Sequence, residues 1–292
     1  RRSGSSLMKH PAELAVHQYM TSAVNGTSTM SEDTINQVAN DIKDALHRQF
    51  GGGKKRNDFR LRMSNVGRPS CQLWYEKNKP EVGVPLPTTF VMNMMIGDIV
   101  EAVFKGLLKE SGVEYEDNDK VQLDLGHIVI DGTYDIIIAD AVDDIKSASN
   151  WSYNNKFESY DTLKQEDAFG YVAQLAGYAK ASGKRAGGWW VVNKATGDFK
   201  YVPADGINVD AEVAKIDETC KTVEENVFKR CFEAEPEMFR GKPTGNKVLN
   251  THCGFCSYRY DCWSTLEERP AIKSQARVPK ITNYVEIAEE YR

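Results

Sequence analysis

Asp144 and Lys146 stand two residues apart in the short run Val142-Asp-Asp-Ile-Lys146. In an extended chain, successive side chains leave opposite faces. The carboxylate and the ammonium therefore share one side, while Asp143 and Ile145 leave the other. A surface ion pair is described by the same two residues. The context adds more. Asp131-Gly132 reads as a hairpin turn, and Asp135 opens the apolar run that follows, Ile136-Ile137-Ile138. If that run pairs with Ala141–Lys146, Asp135 and Asp144 converge from neighbouring strands. Two such carboxylates suit a hard divalent cation, Mg²⁺ or Mn²⁺, which takes oxygen ligands and substrate phosphate.

Three more residues extend this set. Glu101 lies four residues after Gly97 on one helical face. A glycine inside a helix costs about 1 kcal/mol against alanine, and close approach to a sheet or to DNA would account for it. A solvent-facing glutamate is the alternative. Gln174 and Tyr178 are again four apart on one helical face. They offer a hydrogen bond and a ring to a phosphate or base, although a helical tyrosine is commonly core.

The six cysteines are unevenly spaced. Cys253, Cys256 and Cys262 form a C-x2-C-x5-C run, and Gly254 permits the tight turn that lets two thiolates share one centre. A fourth ligand is needed, and Cys71, after Gly67-Arg-Pro-Ser, is the best candidate. His252 is a weaker one. Cys220 and Cys231 fall in a helical stretch and read as buried helix residues. A Cys₄ set suits zinc or an iron–sulfur cluster.

The elements that must position these groups follow from hydrophobic period. Residues 32–50 read as a helix capped by Ser31 or Asp33, with Ile35, Val38, Ile42, Ala45 and Leu46 on one stripe, broken by Gly51–Gly53. Everything before Ser31 is weakly patterned and expected to be mobile. Residues 88–110 form a second helix. Strands are expected around 121–125, 127–130, 133–139 and 141–146, then a polar, aromatic loop at 148–158 with Trp151, Tyr153 and Phe157. A helix over 160–182, a strand pair at 187–193 and 198–202, a helix over 209–234 and the cysteine segment 251–263 complete the order. The implied fold is α/β, a mixed central sheet flanked by helices. The expected division is a partly mobile helical region at 1–64, a main domain at 65–268 and a loose C-terminal tail at 269–292.

Bulk properties exclude rather than identify. With 292 residues, 41% hydrophobic and 27% charged, the chain is an ordinary globular composition. No apolar run approaches the roughly 18–20 residues of a membrane span. No secretory signal is evident, so an intracellular location is expected and a disulfide framework is not. Met8 is expected to be the natural start, and residues 1–7 are set aside. The net charge of -5 does not announce a nucleic-acid binder. Locally, Lys54, Lys55, Arg56, Arg60, Arg62 and Arg68 make a basic stretch, either a solvated loop or a phosphate path. No phosphate loop of the Gly-x4-Gly-Lys-Ser/Thr type is present, so ATP use is not expected.

Taken in order, Gly97-x3-Glu101, Asp131-Gly-Thr-Tyr-Asp135, Asp144-Ile-Lys146 and Gln174-x3-Tyr178 resemble the RecB-type branch of the PD-(D/E)xK nucleases over roughly residues 65–265. That family usually carries histidine where this chain has Glu101. One cysteine ahead of the core and three after it are similar to the iron–sulfur subgroup, which includes the CRISPR-adaptation exonuclease and the AddB subunit of bacterial helicase–nucleases. The resemblance implies a restriction-endonuclease-like sheet and a metal-dependent DNA exonuclease. It further implies 5′→3′ action on single strands in recombination, repair or phage DNA processing. Glu101, Asp135, Asp144 and the carbonyl of Ile145 would hold Mg²⁺ or Mn²⁺. Lys146 would stabilise developing charge, with Gln174 and Tyr178 completing the catalytic set. Cys71, Cys253, Cys256 and Cys262 would hold a 4Fe-4S cluster that staples the chain ends. A DNA-binding accessory of the same fold without catalysis, and a zinc-stapled protein of unrelated function, are the rival readings.

Overall fold

The computed structural model describes residues 9–52 and 58–292. Lys54, Lys55 and Arg56 of the basic stretch lie outside the described residues. Elements run in the order α1 (Pro11–Val24), α2 (Glu32–Phe50), α3 (Ser70–Asn78), α4 (Phe90–Glu110), β1 (Glu116–Asp124), β2 (Val129–Ile138), β3 (Ala141–Ala148), α5 (Tyr160–Gln165), α6 (Tyr171–Ser182), β4 (Arg185–Asn193), β5 (Phe199–Pro203), α7 (Val209–Glu225), β6 (Glu235–Phe239), β7 (Lys242–Val248), α8 (Arg259–Cys262), β8 (Glu267–Pro270) and β9 (Ile281–Glu286). The protein is mixed α/β, with a five-stranded sheet ordered β1-β2-β3-β4-β5 and a four-stranded sheet ordered β6-β7-β9-β8. In the first sheet only β3 and β4 are parallel. Among the described residues no helix is long and apolar enough to cross a membrane.

The central sheet is covered on both faces, which matches the apolar runs Ile136–Ile138 in β2 and Trp189–Val192 in β4, while β3 carries Asp143 and Asp144 at buried positions and Lys146 at a half-buried one. One face packs against α6 and α7 through Ile137, Val142, Trp189, Leu175 and Ile216. The other packs against α4 and α1 through Ile136, Ile138, Ile145, Trp190 and Phe104.

Several expectations are corrected. The region before Ser31 holds α1, whose Val16 is fully buried in the second core. His10 accepts a hydrogen bond from the Ala12 amide at 3.0 Å and so caps this helix, with Trp190 and Tyr201 at its ring edge. The hairpin turn expected at Asp131-Gly132 lies inside β2, a single ten-residue strand. The turns fall instead at Gly126, and at Ala139-Asp140, where both residues take positive φ. Helix 160–182 is interrupted between Gln165 and Tyr171, and Asp167 caps α6 by accepting from the amides of Tyr171 and Val172, each at 2.8 Å. The helix expected to reach residue 234 stops at Glu225, where Asn226 turns left-handed. The C-terminal stretch is no loose tail. Strand β9 is the inner neighbour of both β7 and β8, and its Tyr284 is fully buried.

Gly132 explains itself by contact. A Cβ there would lie 2.5 Å from Met63 Cβ and 2.7 Å from Tyr178 Cε1, so the strand can pass under Tyr178 only without a side chain. We expect Gly132→Ala to lose about 1–3 kcal/mol of stability by overpacking, measured as a lower urea midpoint at unchanged slope. An unchanged midpoint would contradict this packing.

Candidate functional site

Strands β2 and β3 are paired only at Ile136–Asp143, Ile137–Val142 and Ile138–Ala141. Beyond that point they diverge: β2 stays with β1, and β3 follows β4 in parallel register through Ala148. Backbone amides at such a fork lose their ladder partners and need others. Asp135 supplies one, its Oδ2 accepting from the Ile145 amide at 2.8 Å. The fork therefore draws a carboxylate inward, next to Asp144 on β3.

Asp144 is 2% exposed. Lys146 Nζ lies 2.8 Å from its Oδ2, yet this oxygen has no hydrogen bond of good direction. Its contact is the ion pair with Lys146, and the angle of that contact is poor for a hydrogen bond. Burial, then the charges of Asp144 and Glu101, push the Asp135 carboxyl well above the usual carboxylate range, and Lys146 only partly offsets them. Burial pulls the Lys146 ammonium the other way, but Asp144, Asp135 and Tyr171 outweigh it, and its pKa is held above the ordinary lysine value. Lys146 is thus a fixed cation rather than a base.

Glu101 reaches the same field from α4, but it also pairs with Lys105 at 2.9 Å. Lys105 is almost fully buried and holds Asp117 at 2.8 Å as well. A Cβ at Gly97 would sit 3.7 Å from Ser147 Oγ, an ordinary contact, so close approach does not require that glycine. From α6, Gln174 Nε2 donates to the Tyr178 hydroxyl at 3.3 Å. Burial and the charge of Asp144 push that hydroxyl up to about 12. Ile145 takes part through its backbone, while its side chain belongs to the α4-side core. On the far face of β3, Asp143 accepts from Tyr201 (2.8 Å) and Trp190 (3.0 Å), and burial raises it to about 7. It is tied to the fold, not to the site.

Glu101, Asp135, Asp144, Lys146 and Tyr178 therefore share one electrostatic pocket. Among the described residues, no group of three His, Cys, Asp or Glu already stands in metal-ligand geometry. The donor chemistry nonetheless fits a cation. A half-buried carboxylate, Asp135, stands beside a buried one, Asp144, and the single ammonium of Lys146 cannot neutralise both.

The aromatic expectations are partly redrawn. Phe157 is 3% exposed and packs on Tyr171. Tyr153 lies beneath Lys200, whose ammonium is 4.1 Å from its ring. Trp151 remains 61% exposed. Two residues overlooked in the sequence stand closer to the site. Tyr171 carries Lys146 4.8 Å from its ring centroid, and Lys156 is 4.7 Å from the same ring. Lys156 lies in a polar loop and Tyr171 at the first turn of α6, and neither position carries a periodic signal that would have found it.

The cysteines gather elsewhere. Cys71 on α3, Cys253, Cys256 and Cys262 line one small cavity, and Cys231 joins them. Cys231 lies beyond the end of α7, not in a helix, and its Sγ accepts from the Cys71 amide at 3.1 Å. Their shared proton raises Cys71 and lowers Cys231, to about 6. Burial and neighbouring thiols push Cys253 up to about 12. Cys220 alone is buried in the main core, as its helical position implies. Tyr75 of α3 stacks on Tyr258 at 5.0 Å and donates to Asp261 at 2.8 Å. Packing thus ties the two distant segments together around the thiols.

No family model matches the chain, and no curated protein matches it. A solved structure described as that of SSO0001 overlays with a TM-score of 0.40 and 14% identity, covering 80% of this chain and 98% of that one. A likeness so distant carries no functional argument.

The acid pair has a pH signature. A carboxyl raised in the folded state holds its proton where the unfolded chain has lost it, so stability is highest at low pH and falls as pH rises through the folded pKa. Asp135 and Asp143 act in the same sense. We expect the melting temperature in EDTA to fall between about pH 5 and about pH 8, and Asp144→Asn to flatten that slope while Asp143 keeps its share. Mn²⁺ should raise the melting temperature near the upper limit for the parent chain and not for Asp144→Asn. An identical slope in both chains would contradict the coupling.

Proposed function

We propose that this protein is a Mg²⁺- or Mn²⁺-dependent DNA exonuclease of the PD-(D/E)xK type. The observation that carries the reading is the fork between β2 and β3, where the half-buried Asp135 and the buried Asp144 come together beside the cationic Lys146. Asp135, Asp144 and the Ile145 carbonyl would hold the cation. Glu101 would join by exchanging Lys105 for it. A divalent ion there supplies positive charge that offsets the carboxylates, polarises a phosphodiester and eases deprotonation of water.

The chain's own residues do the rest. Lys146, held protonated, places a fixed positive charge where the phosphate gains negative charge in the transition state. Tyr178, with its proton retained and Gln174 fixing its hydroxyl, can donate to a phosphate oxygen. The covered sheet keeps bulk water from the buried Asp144, which strengthens these charges. The expected substrate is a DNA end, single-stranded, with 5′→3′ polarity taken from the family resemblance, in recombination, repair or phage DNA processing. An intracellular site of action goes with that chemistry. The restriction-endonuclease-like description of the sheet belongs to the same proposal.

The sulfur cavity supports a structural metal or cluster. Thiols packed this closely cannot all ionise without a cation to hold them. We assign the site to a 4Fe-4S cluster on Cys253, Cys256, Cys262 and Cys71, with Cys231 as a fifth sulfur able to stand in for Cys71. A non-catalytic DNA-binding role has one observation in its favour: Glu101 is already committed to Lys105.

Asp144→Ala and Lys146→Ala should lower Mn²⁺-dependent digestion of end-labelled single-stranded DNA at least about 100-fold while circular dichroism stays unchanged. Parallel 5′ and 3′ labels read the polarity. Full activity in either variant, or salt-sensitive binding without cleavage by the parent chain, would overturn the nuclease reading. Anaerobically purified protein should contain iron and sulfide in equal amounts. Cys253→Ser should lose them, and Cys71→Ser should lose less than the pair Cys71→Ser/Cys231→Ser. A zinc-only protein would contradict the cluster without touching the nuclease.

A further inference from the structure

A groove opens between Arg68, Gln72 of α3, the loop with Leu86, and the exposed rings of Phe169 and Phe255. The Val84 amide donates to the Ser257 carbonyl at 2.7 Å, which fixes that loop to the cysteine segment. From the site outward the surface alternates ammonium and ring. Lys146 and Lys156 stand on the Tyr171 ring at 4.8 and 4.7 Å, and Lys156 is also 4.7 Å from the centroid of Phe169. Tyr171 stacks on Phe169 at 5.7 Å, and Phe169 meets Phe255 at 5.8 Å. Phe255 is 79% exposed, an unusual position for a large ring held in a tight turn between two cysteines.

Lys156 is the informative residue. It ends a single π-helical turn, Ser152–Lys156, a local irregularity that tends to mark functional positions. Among the described residues no carboxylate stands within ion-pair distance of it. Asp167 acts on it only through space, because both of its oxygens are occupied by the α6 amides. An ammonium half-buried between two rings, with Asp167 and Glu166 acting on it through space and no acid paired to it directly, is set to take an anion from outside. The groove does carry acids. Glu76 is held by Arg68 (3.1 Å) and Gln72 (3.3 Å), and Glu81 lies on the rim.

We propose that this groove is a binding path for single-stranded DNA leading to the candidate site. Lys156 holds the phosphate next to the one at Lys146, and Phe255 stacks a base further along the strand. The proposal rests on the nuclease reading and extends it to named residues. A duplex hides its base faces from such a ring, whereas a single strand offers them whatever its sequence. The cysteine segment then has a second role: it presents Phe255 to substrate, so the cluster region helps to build the binding path.

The test is fluorescence anisotropy of a labelled oligothymidylate with Ca²⁺ in place of Mg²⁺, across a salt series. Lys156→Ala should weaken binding about ten-fold and reduce the salt slope by about one, with Lys156→Arg restoring both. Phe255→Ala should weaken binding about five- to ten-fold at unchanged slope, with blunt duplex unaffected. Phe255→Leu, checked for unchanged iron content, guards against damage to the fold. If Lys156→Ala and Phe255→Leu bind as the parent does while the parent binds and cleaves, the path is wrong and the nuclease reading stands. If the parent neither binds nor cleaves DNA, both fall together.

Discussion

The site depends on a backbone shortage. Two strands that pair for three residues and then part leave amides without partners at the fork. One of them, at Ile145, is satisfied by the side chain of Asp135. That single hydrogen bond commits a carboxylate to a half-buried position beside the buried Asp144, and the chain accepts electrostatic repulsion to keep its backbone satisfied. Lys146 offsets part of this repulsion. It cannot remove it, because one ammonium faces two acids and Glu101 adds to their field. Strain of this kind at a rigid sheet is what a cation or a phosphate-bound metal would relieve.

The helices serve that fork. Helix α4 brings Glu101 from one side and buries Phe104 and Leu108 against the sheet. Helix α6 brings Tyr178 and Gln174 from the other, and it can lie close because Gly132 leaves room on β2. The Asp167 cap sets the start of α6, and so the placement of Tyr171 beneath Lys146. Away from the sheet, the cysteine segment and α3 hold each other through Tyr75, Tyr258 and Asp261, which joins sequence positions nearly two hundred residues apart.

Much of this was legible in the sequence, for definite reasons. The spacing around Asp144 and Lys146 carried β3, and helical spacing carried α2 and α4, but it did not find their buried faces: Ile35, Leu46, Met94 and Val103 stay exposed, and α4 packs inward through Phe104 and Leu108. Spacing placed Asp144 and Lys146 on one face and let Asp135 approach them, whereas Glu101 and Tyr178 were set beside them by the family resemblance. Other features were hidden. Asp131-Gly132 looked like a turn because glycine favours turns, whereas here it makes room for Tyr178. Helix α1 has little apolar asymmetry, and its burial rests on Val16 and on ring contacts of His10 and His17. Cys231 was misplaced because Asn226, not glycine, ends α7. Lys156 and Tyr171 meet only in three dimensions.

The central claim is that Asp135 and Asp144 share one divalent cation. Crystals grown without metal and soaked in Mn²⁺ would test it through anomalous scattering. The account predicts a peak in bonding contact with both carboxylates and the Ile145 carbonyl, with Glu101 turned from Lys105 toward it. Crystals whose acids stay paired with Lys146 and show no manganese there at saturating concentration would contradict it.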